Sequence, residues 1–144
     1  MKNNAITMIL ALGAACCAGS ALNAQSSNNV LLAKVPFAFQ VNGENFAAGK
    51  YVVREQGYLG IPSIQNAATG RTIFVAGAFH GLPVVSQPKL VFHCYAGSTC
   101  FLAEIRPTTG SGSTIAMSKA EKEVASSDQR REMATIAVDL RNSD

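Results

Sequence analysis

The chain contains no tryptophan, and aromatic residues make up only 7% of its 144 positions. Without indoles it lacks the usual flat platform for stacking sugars, leaving a reduced version built from Tyr51, Tyr58, Tyr95 and the phenylalanines. Charge is also sparse, at 15% charged residues and a formal net charge of +3, and both signs are interspersed along the chain. The basic stripe that marks a nucleic-acid-binding surface is therefore missing. Arg130-Arg131 is the one basic doublet, and with Asp128 and Glu132 flanking it, it reads as a solvated face. Long hydrophobic runs are short supply too. Ala5 to Ala18 is apolar but falls below the roughly 20 residues of a membrane-spanning helix, and nothing later resembles one.

Catalytic signatures are equally scarce. There is no Gly-x-Ser-x-Gly elbow, and Gly110-Ser111-Gly112 lacks the lysine and following helix of a phosphate-binding loop. Only His80 and His93 could serve as imidazole bases. A zinc site from His80, His93 and Glu104 would lack the helical spacing that usually presents two histidines to one metal. Glu44, Glu55 and Glu104 are scattered, and Asp128, Asp139 and Asp144 fall late, so no carboxylate pair is set out for glycosidase chemistry. No catalytic, cofactor-binding or metal-ligating set is assigned from the sequence.

The N-terminus carries an address. Lys2 gives the positive end, Ala5 to Ala18 the apolar run, and Gly19-Ser20-Ala21 or Leu22-Asn23-Ala24 a small-residue cleavage site. Residues 1–24 are expected to be a signal peptide and residues 25–144 one exported β-domain, in the periplasm, on the outer surface or secreted. About 120 residues suffice for a single core that buries roughly two-thirds of the unfolded surface. Cys16 and Cys17 would leave with the signal. Cys16 follows Gly13-Ala14-Ala15, with glycine where a lipidation signal wants leucine.

That leaves Cys94 and Cys100, an even pair in an oxidising compartment. They end two strand-like runs, Lys89 to Tyr95 and Cys100 to Ile105, on either side of the turn-prone Ala96-Gly97-Ser98. If Tyr95 and Thr99 close that loop, the two cysteines face each other across a hairpin. A disulfide is expected, because Cα separations of about 4.5 to 5.5 Å across such a pair suit one. A redox or metal-binding thiol pair would more commonly use the Cys-x-x-Cys spacing.

Elsewhere the dominant period is two. Val35, Phe37, Phe39 and Val41 alternate with Pro36, Ala38 and Gln40 and read as one strand, ended by the Asn42-Gly43 turn signal. Pro36 lacks an N–H and belongs at a sheet edge or bulge. Tyr51 and Val53 mark a second strand. Ile61 to Asn66 and Arg71 to Ala78 flank a loop ending at Gly70, and Ala134, Ile136, Val138 and Leu140 mark a last strand. Gly81 to Pro88 and Thr108 to Ser113 read as connections. Ser118-Lys119-Ala120-Glu121 has the capping-box form, predicting a helix from Lys119 to about Ser127 docked by Ala120 and Val124. The cysteine hairpin is apolar on both faces, with Leu90, Phe92 and Leu102 on one and Val91, Phe101, Ala103 and Ile105 on the other, so both faces should be covered. The expected fold is all-β: an antiparallel sandwich or small barrel of about seven strands with one short helix in the C-terminal region.

Val35-Pro-Phe-Ala-Phe-Gln-Val-Asn-Gly43, Ala48-Gly49-Lys50-Tyr51, Lys89-Leu-Val-Phe-His93 and Ser118-Lys-Ala-Glu121 together resemble a family of small exported bacterial β-proteins of uncharacterised function. The resemblance spans most of the mature chain and implies an envelope or secreted location, a β fold and no established activity. Ala47 stands where that pattern has proline, and the two hairpin cysteines are unusual for it.

Three functions compete. The first is a non-enzymatic exported domain that acts in binding or as an envelope component, with a surface or mouth formed around His80 to Gln87 and Thr108 to Ser113. The second is a lipocalin-like carrier of a small hydrophobic ligand, lined by Phe37, Phe39, Tyr51, Phe92 and His93. The third, a metal-assisted hydrolase, requires His80 and His93 to meet in space. An exposed strand edge at Val30 to Val41 would recruit another chain by β-addition.

Overall fold

The structure, a computed structural model, describes residues 30–56, 60–96, 99–108, 112–127 and 131–140. The signal peptide, Cys16, Tyr58 and Asp128 lie outside the described residues.

The fold is all-β with one short helix. Its strands are β1 (Val30–Val35), β2 (Phe39–Val41), β3 (Glu44–Phe46), β4 (Gly49–Gln56), β5 (Ile61–Asn66), β6 (Thr72–Phe74), β7 (Ala78–Leu82), β8 (Lys89–Tyr95), β9 (Cys100–Arg106), β10 (Gly112–Ile115) and β11 (Arg131–Leu140), with α1 (Lys119–Ser126) before the last. The described residues thus hold eleven strands rather than about seven. Two of the four extra strands are β3 and β10, the latter beginning within the stretch Thr108 to Ser113 that reads as a connection, and the other two come from breaks. Pro36 ends β1, and the chain turns there from pairing with β4 and β11 to pairing with β3 and β9. The run from Arg71 to Ala78 is broken at Val75–Gly77, where Gly77 takes φ +68° and its carbonyl accepts from Ala116 N–H.

The hydrogen-bonded order is β3-β2-β9-β8-β11-β1-β4-β5-β6, with β10 joining β9 to β7. All pairings are antiparallel except β2 with β9. The expected edge at Val30 to Val41 does not exist, because β1 lies between β11 and β4, and β2 lies between β3 and β9. β11 stands in the middle of the order, joining the half that holds β8 and β9 to the half that holds β1 and β4.

The halves share one core. Leu31, Val35, Tyr51, Val53 and Ile64 from one half meet Phe39, Phe46, Leu90, Phe92, Leu102 and Ile105 from the other. Simple alternation puts Ile105 on the opposite face from Leu102. A bulge sets Ala103 and Glu104 against Val91 and returns Ile105 to the core side opposite Leu90. The far face of the β8–β9 hairpin is covered by α1, whose Glu121 bonds to His93 and Tyr95.

Two local signals act as the sequence implies. Asn42 and Gly43 both take positive φ, 53° and 80°, as a two-residue hairpin turn requires. Ser118 Oγ accepts from Glu121 N–H at 3.1 Å and caps α1. Cys94 and Cys100 are directly opposed and disulfide-bonded, with Cα atoms 4.0 Å apart.

Candidate functional site

The sheet's two ends approach each other along a seam that no ladder closes among the described residues. At one end of this seam, Asn42 Nδ2 donates to the Phe74 carbonyl at 3.0 Å, which ties the β2–β3 turn to β6. Arg71 donates to the Asn45 carbonyl, pairs with Glu44, and lies 5.0 Å over the Phe46 ring. Beneath this junction the aromatics pack on one another. Phe39 stacks on Phe46 with centroids 5.3 Å apart and meets Tyr51 and Phe92 edge-on at 5.0 and 5.3 Å. Phe37 meets Phe92 edge-on at 5.1 Å. Four of the five residues proposed as a ligand lining therefore touch as a packed cluster.

The fifth, His93, points to the other face of β8. Its Nδ1–H donates to Glu121 Oε1 at 2.9 Å, and the Tyr95 hydroxyl donates to the same oxygen at 3.2 Å. Glu121 is 3% exposed and sits in the helical stripe with Ala120 and Val124. Burial, then the neighbouring Glu121 carboxylate, push the Tyr95 hydroxyl above its usual range. This cluster docks the helix. The capping-box pattern marks Glu121 as a residue that reaches back to the cap, whereas its Oε1 is engaged on β8. The recognisable signal was a carboxylate lying within an apolar helical stripe, which must find a partner when the stripe is buried.

At its other end the seam is open. A cleft of about 290 Å³ lies between β5 and the chain entering β7, walled by Ile61, Pro62, Val75, Ala76, Gly77 and Ala78, with His80 at its rim. The two stretches expected to form a mouth do come together, because β7 and β10 pair with Ser113 opposite His80 and Gly112 opposite Leu82. Gly112 allows this approach: a Cβ there would lie 2.9 Å from Leu82 Cβ and 3.1 Å from the Ile105 carbonyl oxygen. Ser113 Oγ and His80 Nδ1 share a hydrogen bond of 3.2 Å. Ser113 is 0% exposed, so in this conformation no substrate reaches its hydroxyl.

Glu55 is the third polar group at this end. It pairs across the ladder with Pro62, a wall of the cleft, and its Oε1 is buried with no hydrogen-bond partner among the described residues. Desolvation raises its pKa above the ordinary carboxylate range, partly offset by the charge of His80. Ser113 is not marked in the sequence, since only the pairing of β7 with β10 brings it to His80.

His80 and His93 do not meet. β7 reaches β8 only through β10 and β9, and on β9 the His80 row falls at Ile105 while His93 lies opposite Phe101. The geometry required of the metal-assisted hydrolase is therefore not formed. Glu104 pairs instead with Arg106 at 2.6 Å. Among the described residues no three His, Cys, Asp or Glu side chains are grouped to hold a metal, and no helix is long and apolar enough to cross a membrane.

Comparison with known proteins returns no matching family model, no matching curated protein and no matching solved structure.

Proposed function

We propose that this protein is an exported, non-enzymatic β-domain that acts by binding, and that the β5–β7 cleft is its binding site. The observation that carries this reading is the open seam. β7 has β10 as its one ladder partner among the described residues, and a cleft walled mainly by apolar side chains, with backbone and His80 adding polar surface, lies between it and β5. Ile61, one of its walls, is 40% accessible. The buried Ser113 hydroxyl and the separated histidines supply no assembled nucleophile, which favours binding over turnover. The carrier reading has less support, since its aromatic lining is spent on mutual packing in the core. The export signal and the motif resemblance supply the location. The Cys94–Cys100 disulfide is in keeping with an oxidising compartment.

Amide shifts recorded while screening small apolar fragments test the site. Binding at the cleft moves the amides of Ile61 and Val75 to Ala78, and Ala76→Trp, which fills the cleft from an exposed wall position, abolishes those shifts. Shifts that gather elsewhere, or that survive Ala76→Trp, refute the assignment.

A further inference from the structure

We infer that the cleft takes an extended, uncharged segment of another protein, added as a strand along the free edge of β7. The inference rests on the cleft being the binding site and adds the class of ligand and the way it is held. Among the described residues three strands have a single ladder partner: β3, β6 and β7. The first two are tied to each other by side chains, since Arg71 donates to the Asn45 carbonyl and Asn42 to the Phe74 carbonyl. On β7 the side-chain bond runs to β10, from His80 to Ser113, and the other edge is left untied among the described residues.

The register decides which backbone groups face that edge. Ala116 N–H donates to the Gly77 carbonyl, and the pairing continues with Ala78 opposite Ile115, Phe79 opposite Thr114 and His80 opposite Ser113. Main-chain groups alternate from side to side along an antiparallel strand, so Gly77 and Phe79 face β10, whereas the N–H and carbonyl of Ala78 and His80 face the free edge. Both of these residues line the cleft. On the opposite wall Pro62 has no N–H, and its carbonyl already accepts from Val75 N–H at 2.8 Å. β5 therefore cannot complete a ladder with β7 at Pro62.

Exposed edges are normally guarded by charged side chains. From Thr72 to Pro88 the chain has no Lys, Arg, Asp or Glu, so this edge lacks that guard. Its alternating donors and acceptors complement the partial charges of one extended backbone. Ile61 and Pro62 stand across the gap, where the next strand of an incoming sheet would have to lie, so the site suits a single strand rather than the sheet edge of a second copy. The regular edge is short, about 10 Å, because Gly81 is the extra residue of a bulge between His80 opposite Ser113 and Leu82 opposite Gly112. Residues of the added strand that bond to Ala78 and His80 share a face with Ala78, which packs against the core, and so carry compact apolar side chains.

The test adds acetyl-Thr-Val-Thr-Val-Thr-amide to the full mature protein and follows amide shifts and hydrogen exchange. In the free protein the Phe79 amide exchanges slowly and those of Ala78 and His80 fast; the peptide moves the cleft amides and slows exchange at Ala78 and His80 about tenfold or more. N-methylation of both valines, whose N–H groups meet β7, weakens binding about tenfold, whereas N-methylation of the central threonine, whose N–H points away from β7, changes it within about threefold. Equal losses for the two analogues, binding without slower exchange at Ala78 and His80, or no peptide binding where apolar fragments bind overturn the inference while leaving the cleft as a binding site. Protection of those two amides that grows with protein concentration, without peptide, assigns the edge to a second copy and also overturns it. If neither the peptide nor any apolar fragment moves the cleft amides, both the inference and the binding site fail.

Discussion

The seam between the sheet's two ends is built in two ways within one molecule. Where β6 meets β2 and β3, an ion pair, a cation over a ring and two bonds to backbone carbonyls lie on top of an aromatic cluster. Where β5 faces β7, the walls are mainly apolar side chains and the gap is left open. The difference teaches that closure of a curled sheet need not come from ladder hydrogen bonds. Side chains close one end, and their absence at the other creates a place for something else.

The strongest way to break the comparison is to hollow the closed end. Phe39→Ala removes the ring shared by Phe46, Tyr51 and Phe92 and is expected to cost about 3 to 5 kcal/mol in denaturant unfolding, whereas Ile61→Ser at the cleft wall stays within about 0.5 kcal/mol. Comparable losses at the two positions would erase the distinction. The disulfide belongs to the closed end as well, since Cys100 pairs with Phe39 of β2. Replacing both cysteines by alanine is expected to cost roughly 2 to 2.5 kcal/mol on the chain-entropy model of a loop of about seven residues, read as a shift of the unfolding midpoint.

A smaller effect comes from Arg71→Ala. The ion pair is half exposed, at 52% and 48% for its two side chains, so screening leaves it little, and the contact with Phe46 carries most of a loss of about 1 kcal/mol. Raising the salt concentration should therefore recover only a minor part of that loss; complete recovery would assign it to the ion pair. The smallest effect concerns Glu55. Its pKa is raised in the folded state, so its own contribution to stability is full below the ordinary carboxylate range and is lost as pH rises through the raised value. Glu55→Gln should remove that decline from a series of melts against pH. Persistence of the decline in the variant would place its origin at another group.

The sequence made the local devices readable because each rests on neighbours in the chain. The Asn42-Gly43 turn, the Ser118 cap and the opposed cysteines all follow from residues a few positions apart. The corner at Pro36 was legible only as a proline that disliked a central strand, since the change of partners it permits depends on β4, β11, β3 and β9. The bulge that turns Ile105 inward depends likewise on its pairing with β8. The candidate site was the least legible part. His80 and Ser113 are 33 residues apart and meet through a ladder, while Ile61 and Pro62 reach the cleft from the other half of the sheet. A period of two reports which face a residue occupies, but not which strand stands beside it.

The central place of β11 bears on how the molecule is made. Its ten residues join β8 to β1, and both neighbours are synthesised long before it. A chain delivered from its N-terminus, through a ribosome or a translocation pore, therefore holds two unfinished half-sheets until the final stretch emerges, each with a bare edge. Contacts as distant in sequence as Leu31 with Leu140 close last and close slowly. During that interval the edges of β1 and β8 are open to other copies of the chain, and the hazard of aggregation belongs to the unfinished molecule rather than to the finished one.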